Sequence, residues 1–503
     1  MIGTQAGLTR IDAARRQRSR ARGYPSPPMA KERTKLEVAA ERAVLAAVRL
    51  PDSTHDPRDP FGELKSLAEQ AGAIVVGECV QNLDRPVAGS YMGSGKIQEL
   101  KGLCEALNAQ TIIFDHDLSP KQIANIEKET GRKVVDRSEL ILDIFASRAT
   151  TAEAKLQVEM AQLEYTFPRL RAMWDHLERI TGGAGLGGIG TRGPGEMQLE
   201  IDRRLVQRRK LDLQRDLAVI QARRRREVAA RKREHFTVGI VGYTNAGKST
   251  LFNSLTAGGA YADDRLFATL MSRTREWNLG GSLTVMLSDT VGFVRDIPHH
   301  LVASFKSTLE EATHADLLLI VLDVSDPAAE LQLATVNRVL DELFRELRSS
   351  RHEEDQHWRE PERVLLLNKV DRLRDNAELL VWQRRSPGAI PICALPNADG
   401  SPQLGIAELT ALVRSAAQGD VKVFRVSVPL ADSKTIHLIE SRGQVLDRDY
   451  KGDFVTLRAR IGTRQLAQLK SAGAKIELAD DQGQRIRLPA DGSPAPGWGR
   501  DPS

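Results

Sequence analysis

The chain has 503 residues, 41% of them apolar and 28% charged, with a formal net charge of +5. That length is too great for one hydrophobic core and predicts about three domains; no apolar run approaches the ~20 residues that a bilayer crossing needs, which excludes a helical membrane protein. Cys79, Cys104 and Cys393 stand apart, without the paired spacing of a zinc site or a disulfide framework, and predict three buried thiols in a reducing, cytoplasmic setting.

Residues 1–58 carry Arg10, Arg15, Arg16, Arg18, Arg20 and Arg22, then Pro25, Pro27 and Pro28, and are expected to form a basic, disordered leader. A transit peptide, a phosphate-binding tail and an inert leader are the readings open to it, the first weakened by the lack of a clear apolar face. Over residues 59–150 apolar runs at 73–80, 111–114 and 133–135 alternate with helical stretches at 96–107 and 120–129, the pattern of a small α/β domain with a mostly parallel sheet. Inside it, Gly93-Ser94-Gly95-Lys96 looks like a phosphate-loop fragment but lacks the first glycine and the following Ser or Thr of that motif.

Residues 151–234 read as two helices. Leu156, Met160 and Leu163 share one face of the first, and Leu199, Val206, Leu213 and Ile220 recur every seven residues in the second, so an antiparallel helical hairpin is expected, joined by the glycine-rich linker 182–195. That much glycine leaves either a plain linker or backbone amides free to approach a ligand closely. Between Arg203 and Arg233 stand thirteen Lys or Arg against Asp212, Asp216 and Glu227. Such a stripe is a solvated helix face or a surface for nucleic-acid phosphates.

Residues 235–416 offer strands at 237–241, 283–287, 317–322, 364–367 and 390–393, each ending at a polar motif. Near-continuous apolar strands suit a sheet covered on both faces, whose carboxyl edge is where open α/β sheets bind ligands. Residues 420–490 alternate, with strands expected at 422–428, 454–459, 475–478 and 485–488, and read as a small α+β domain; the Gly- and Pro-containing tail 491–503 reads as loose.

Gly242, Tyr243, Thr244, Asn245, Ala246, Gly247, Lys248 and Ser249 fit G-x-x-x-x-G-K-[ST] directly after a strand, with Thr250 following. In that setting backbone amides cradle phosphates, Lys248 reaches the β- and γ-phosphates, and the Ser249 hydroxyl ligates Mg²⁺. Asp289, Thr290, Val291 and Gly292 close the next strand: Asp289 would hold Mg²⁺, through water, and the Gly292 amide would sense a γ-phosphate. Asn368, Lys369, Val370 and Asp371 end a third strand. The Asp371 carboxylate can accept from both N1–H and the exocyclic amine of guanine, whereas adenine would leave a buried charge stranded, so GTP/GDP is expected over ATP. Leu266, Phe267, Ala268 and Thr269 occupy the switch position, with the Thr269 hydroxyl expected to close on Mg²⁺ in the GTP state. Cys393, Ala394 and Leu395 are expected to back the guanine, although Cys replaces the usual Ser. Lys248, Thr269 and Gly292 are the candidate catalytic groups, and Ser249, Thr269 and Asp289 the candidate metal ligands. Phe293 stands where Ras-like switches carry the water-orienting Gln, which predicts slow hydrolysis alone and stimulation by a partner.

Together these residues resemble the HflX family of ribosome-associated GTPases. Gly187-Gly188-Ile189-Gly190-Thr191-Arg192-Gly193-Pro194-Gly195-Glu196, then Gln198-Leu199-Glu200-Ile201-Asp202-Arg203-Arg204, carry the resemblance most specifically; Leu266 to Thr269, Asp289 to Phe293 and Arg295-Asp296-Ile297-Pro298-His299-His300 look like the family too, as does Gly93-Ser94-Gly95-Lys96. The likeness runs over about residues 60–420. It implies a P-loop GTPase domain with a mostly parallel sheet, preceded by the small α/β domain and hairpin and followed by the small α+β domain. It further implies docking on the large ribosomal subunit and its rRNA, GTP-dependent splitting or rescue of ribosomes, and GTPase stimulation by the ribosome. Some members of the family are reported to bind ATP through the N-terminal domain. Met197, Met271-Ser272 and the first 60 or so residues depart from the family pattern. A monomer without DNA specificity is expected. Against the ribosomal reading stand a switch that binds a non-ribosomal protein effector through the hairpin, and a P-loop phosphotransferase, which the 368–371 motif opposes.

Overall fold

The computed structural model describes residues 41–51, 61–181, 194–256, 273–280, 283–290, 292–295, 312–350, 360–395 and 403–486. The first sheet is built from β1 (Arg42–Arg49), β2 (Ile74–Asn82), β3 (Thr111–Phe114) and β4 (Lys133–Val135), all parallel, in the order β2-β1-β3-β4. Helices α1 (Gly62–Gln70), α2 (Ser94–Ala106), α3 (Pro120–Thr130) and α4 (Arg137–Arg148) connect and cover it. Strand β1 corrects the expected leader over 1–58, because residues 42–49 form an inner strand of this sheet. Its sequence, RAVLAAVR, is buried from Ala43 to Val48. A strand covered on both faces shows no alternation, and its alanines mimic a helix. Gly93-Ser94-Gly95-Lys96 opens α2, with Lys96 paired to Glu99 at 2.7 Å. Ser119 and Gln122 cap α3 reciprocally, and the Asp136 carboxylate caps α4 by accepting from Glu139 N–H.

Two long helices follow, α5 (Ala152–Thr181) and α6 (Pro194–Glu234). They run antiparallel, with Met160 of α5 packed on Leu213 and Leu217 of α6 and with Leu156 and Leu163 beside them. Arg209–Glu159, Lys210–Glu164 and Arg224–Glu153 pair across the seam. Proline at the first position of α6 suits a helix start, where its missing N–H has no intrahelical partner to lose. Linker residues 182–193 lie outside the described residues.

The central sheet has six strands in the order β10-β9-β8-β5-β7-β6: β5 (Thr237–Gly242), β6 (Arg273–Asn278), β7 (Thr284–Asp289), β8 (Leu317–Asp323), β9 (Glu362–Asn368) and β10 (Ile390–Pro391). All pairs are parallel except β6 with β7. Strand β8 is buried along its whole length, as a central strand with both faces covered should be. One face packs against α7 (Lys248–Leu255) and α10 (Ile406–Gln418), the other against α8 (Ala329–Ser350), with α9 (Asn376–Arg385) near the β9 edge. Edge strand β6 was not expected from its polar sequence.

The last sheet is antiparallel, from β11 (Val421–Pro429), β12 (Gln444–Lys451), β13 (Phe454–Gly462) and β14 (Glu477–Asp480), in the order β12-β13-β11-β14. With α11 (Ser433–Arg442) after β11 and α12 (Thr463–Ser471) after β13, the succession is βαββαβ, the split βαβ arrangement. The strand expected at 485–488 reduces to a single bridge between Ala479 and Arg485, with 487 onward outside the described residues.

Candidate functional site

The three motifs lie at the carboxyl ends of β5, β7 and β9 and converge. Strand β5 runs into the loop 242–247, whose backbone turns only because two glycines permit it. Gly242 has φ +153°, and a Cβ there would fall 2.3 Å from the Val321 carbonyl oxygen; Gly247 has φ +96°, and a Cβ there would fall 2.2 Å from Asn368 Nδ2. No side chain fits at either position. Asn245 also takes a left-handed conformation, φ +61°, which Asn tolerates better than most residues. The loop delivers its chain into α7, whose first residues are Lys248 and Ser249.

Lys248 is buried and its Nζ donates to the Tyr243 carbonyl at 2.6 Å, closing the loop on itself. Loss of hydration pushes the Lys248 amine down from 10.5 to about 8; Asp289 opposes that fall and Lys369 adds to it. Ser249 Oγ donates to Asp289 Oδ2 at 2.7 Å, which brings the hydroxyl of the first motif against the carboxylate of the second. Thr290, fully buried, donates to the Ile240 carbonyl at 2.7 Å and fixes the exit from β7. Beyond it the chain crosses the phosphate loop: Phe293 N–H donates to the Gly242 carbonyl at 3.0 Å and Thr244 N–H to the Phe293 carbonyl at 2.8 Å. Phe293 is buried.

The third motif is tied to the first by side chains. Asn368 Nδ2 donates to the Ala246 carbonyl at 2.8 Å, and its Oδ1 accepts from Ala394 N–H at 3.1 Å. Lys369 Nζ donates to the Asn245 carbonyl at 2.8 Å and pairs with Asp323 at 2.7 Å. Asp371 lies in a single 3₁₀ turn, Val370–Arg372, and its carboxylate accepts from Cys393 Sγ at 3.2 Å. Burial and that carboxylate raise the thiol above its usual range, so Cys393 stays protonated and acts as a donor, as the usual Ser would. Leu395 is exposed beside it. Val370 and Thr250 are partly buried near the same edge. Leu266, Phe267, Ala268, Thr269 and Val291 lie outside the described residues. Sequence reading missed Asp323, which anchors Lys369, and Gln403, which donates to the Ala394 carbonyl at 2.9 Å. The acid ending strand β8 was a signal that could have found the first; nothing local marks the second.

Residues 58–146, 148–231 and 237–369 match families described as GTP-binding GTPase N-terminal, GTP-binding GTPase middle region and 50S ribosome-binding GTPase. A GTPase HflX of Lacrimispora saccharolytica is 38% identical over 441 residues, covering 87% of this chain and 97% of that protein. The chain belongs to the HflX family. The HflX GTPase of Escherichia coli K12 is 40% identical over 368 residues, covering 73% of this chain and 82% of that one. Among solved structures, a GTP-binding protein from Sulfolobus solfataricus in complex with GDP aligns over 75% of this chain and 98% of its own, at 25% identity and a TM-score of 0.38. As an HflX-family GTPase, the chain binds GTP and GDP and hydrolyses GTP. No helix among the described residues is long and apolar enough to cross a membrane.

Proposed function

We propose that this chain is a GTP-driven switch that docks its hairpin on the large ribosomal subunit and its rRNA, and that it splits or rescues ribosomes in the cytoplasm as a monomer. The site would work as follows. The amides of residues 242–247 and Lys248 bind the phosphates, and Asp371, steadied by Cys393, accepts from guanine. Ser249, Asp289 and Thr269 would hold Mg²⁺, which supplies charge neutralisation between phosphates. The close pairing of the Ser249 hydroxyl with the Asp289 carboxylate fits that ion, because Mg²⁺ takes hard oxygen donors. The Gly292 amide meets the γ-phosphate. Phe293 can orient no water, so hydrolysis is slow until a partner completes the site.

The observation that carries the ribosomal part is the helix α6. One side of it is fixed to α5 by the apolar seam and its ion pairs, while Arg204, Arg208, Arg215, Arg223 and Arg226 stand exposed. A stripe of guanidinium groups on a rigid rod suits rRNA phosphates. The description 50S ribosome-binding GTPase over residues 237–369 points the same way. Purified protein should co-sediment with large subunits in the presence of a non-hydrolysable GTP analogue and much less with GDP. Failure to co-sediment in both states sinks the proposal. Leu205, Leu211 and Val219 are exposed on the same helix and favour a second reading, a non-ribosomal protein effector. Mass spectrometry of proteins captured in the GTP state would then return that one partner in place of ribosomal proteins.

A further inference from the structure

In a parallel α/β sheet the ligand site is the crevice beyond the carboxyl ends of the strands where the order of connection reverses. In the N-terminal sheet that point lies between β1 and β3, and the residue leaving β3 there is Asp115. The crevice is filled, and what fills it comes from the nucleotide domain. Arg295, three residues past Gly292, places its Nη2 on Asp115 Oδ2 at 2.7 Å. Arg137, at the start of α4, places Nη1 on the other oxygen of Asp115 at 2.6 Å, pairs with Glu63 of α1, and donates from Nη2 to the Arg295 carbonyl at 3.1 Å. Glu63 also accepts from the hydroxyl of Tyr243, in the phosphate loop, at 2.7 Å, and that hydroxyl accepts from Arg295 N–H at 2.7 Å. Among the described residues two guanidinium and two carboxylate groups meet here, and Arg137, Asp115, Arg295 and Tyr243 are each less than 10% exposed.

The same segment sits directly on the loop that would hold the phosphates. A Cβ on Gly292 would fall 2.8 Å from Thr244 Cγ2 and 2.9 Å from Lys248 Nζ, and that amine is turned onto the Tyr243 carbonyl. A γ-phosphate gripped by both Lys248 and the Gly292 amide would have to enter this space, on the turn that carries Arg295.

We propose that the crevice of the N-terminal sheet is a receptor for Arg295. Its occupancy and a γ-phosphate at Gly292 are mutually exclusive, so GTP undocks the N-terminal domain and GDP leaves it docked. This rests on the reading of Gly292 and Lys248 given above. The hairpin shares in the release, because it is tied to the same domain: Asp136 of the N-terminal domain pairs with Arg169 of α5 and accepts from Tyr165 of α5 at 2.7 Å, and Arg169 donates to the Leu118 carbonyl at 3.1 Å. By linkage, whatever weakens the dock must favour GTP over GDP by the same factor.

The test compares full-length wild type with Arg295→Ala and the near-isosteric Asp115→Asn, measuring affinities for a non-hydrolysable GTP analogue and for GDP. Each variant should raise the analogue-to-GDP affinity ratio by roughly 5-fold or more, the lower end of ordinary allosteric couplings. Hydrogen exchange on the wild type needs no variant: amides of α1 and of the first turn of α4 should exchange faster with the analogue than with GDP. Unchanged ratios in both variants, or exchange in the wild type that ignores the nucleotide, overturn the proposal. Lys248→Ala separates this from a misplaced site. If it keeps full nucleotide affinity, the reading of the phosphate loop fails and the latch falls with it; if it loses nucleotide while the ratios stay flat, only the latch is wrong.

Discussion

At the scale of single residues, Lys248 combines burial with a charge that the proposed phosphate site would have it keep. An unfolded lysine titrates near 10.5 and this one at about 8. Between those values the unfolded chain holds the extra proton, so the group makes stability rise with pH across that window. With Lys248 on phosphate as proposed, bound phosphate would favour the ammonium form, and above pH 8 nucleotide binding would take up a proton. Affinity for GDP should therefore be flat between pH 6.5 and 7.5 and decline above pH 8, towards a limit of about tenfold per pH unit. Calorimetry in buffers of different ionisation enthalpy would show the uptake; constant affinity to pH 9.5 contradicts the account. The motif residues were legible in sequence because each sits on the carboxyl end of an apolar strand, where local pattern and chemistry coincide. Cys393 was legible only as a departure from Ser. Its hydrogen bond to Asp371 shows the substitution to preserve the donor. The cluster of Glu63, Asp115, Arg137, Tyr243 and Arg295 was not legible at all. Its longest hydrogen bonds span 158, 180 and 232 residues, and no periodicity reports pairings of that range.

Among the elements, the helical hairpin was readable and β1 was not, for one reason. Amphipathic helices advertise the face they bury, whereas a doubly covered strand advertises only apolarity, which Ala43, Leu45, Ala46 and Ala47 supply ambiguously. Edge strands β6 and β12 escaped for the opposite cause: RTREWN and QVLDRDYK carry the charge that keeps an exposed edge from pairing with another chain. The hairpin divides its arginines by task. Arg209 and Arg224 are committed to Glu159 and Glu153 across the seam, while Arg208 and Arg215 project outward. Replacing Arg208 and Arg215 together by Ala should leave the hairpin folded, weaken binding to large subunits at low salt, and lower the slope of log affinity against log salt by about one for each phosphate that the pair had neutralised. Co-sedimentation between 50 and 200 mM salt measures this. An unchanged slope would show that the proposed rRNA contact does not use this face of α6.

For the whole molecule, the buried network makes the nucleotide domain and the N-terminal domain one thermodynamic unit while docked. A ligand that binds the folded nucleotide domain stabilises it by about 4 kcal/mol at a thousand times its dissociation constant. Through intact ion pairs, part of that must reach the N-terminal sheet, which carries none of the three nucleotide motifs. Arg137 sits at the centre of the transfer, joining Asp115, Glu63 and the Arg295 carbonyl, while Arg295 and Tyr243 also reach Asp115 and Glu63 directly. Truncating one member of a buried ion network strands its partners and costs about 3–5 kcal/mol; in Arg137→Leu, undocking relieves that cost by exposing Asp115 and Glu63 to water. Differential scanning calorimetry should show GDP raising the unfolding temperature of both domains in the wild type, and of the nucleotide domain alone in Arg137→Leu, with the N-terminal transition left behind. Loss of the N-terminal transition altogether would mark Arg137 as essential to that sheet's own folding. Continued co-movement of both transitions with GDP in the variant would show that the coupling does not depend on Arg137 and is carried by the direct Arg295–Asp115 and Tyr243–Glu63 contacts or by the hairpin.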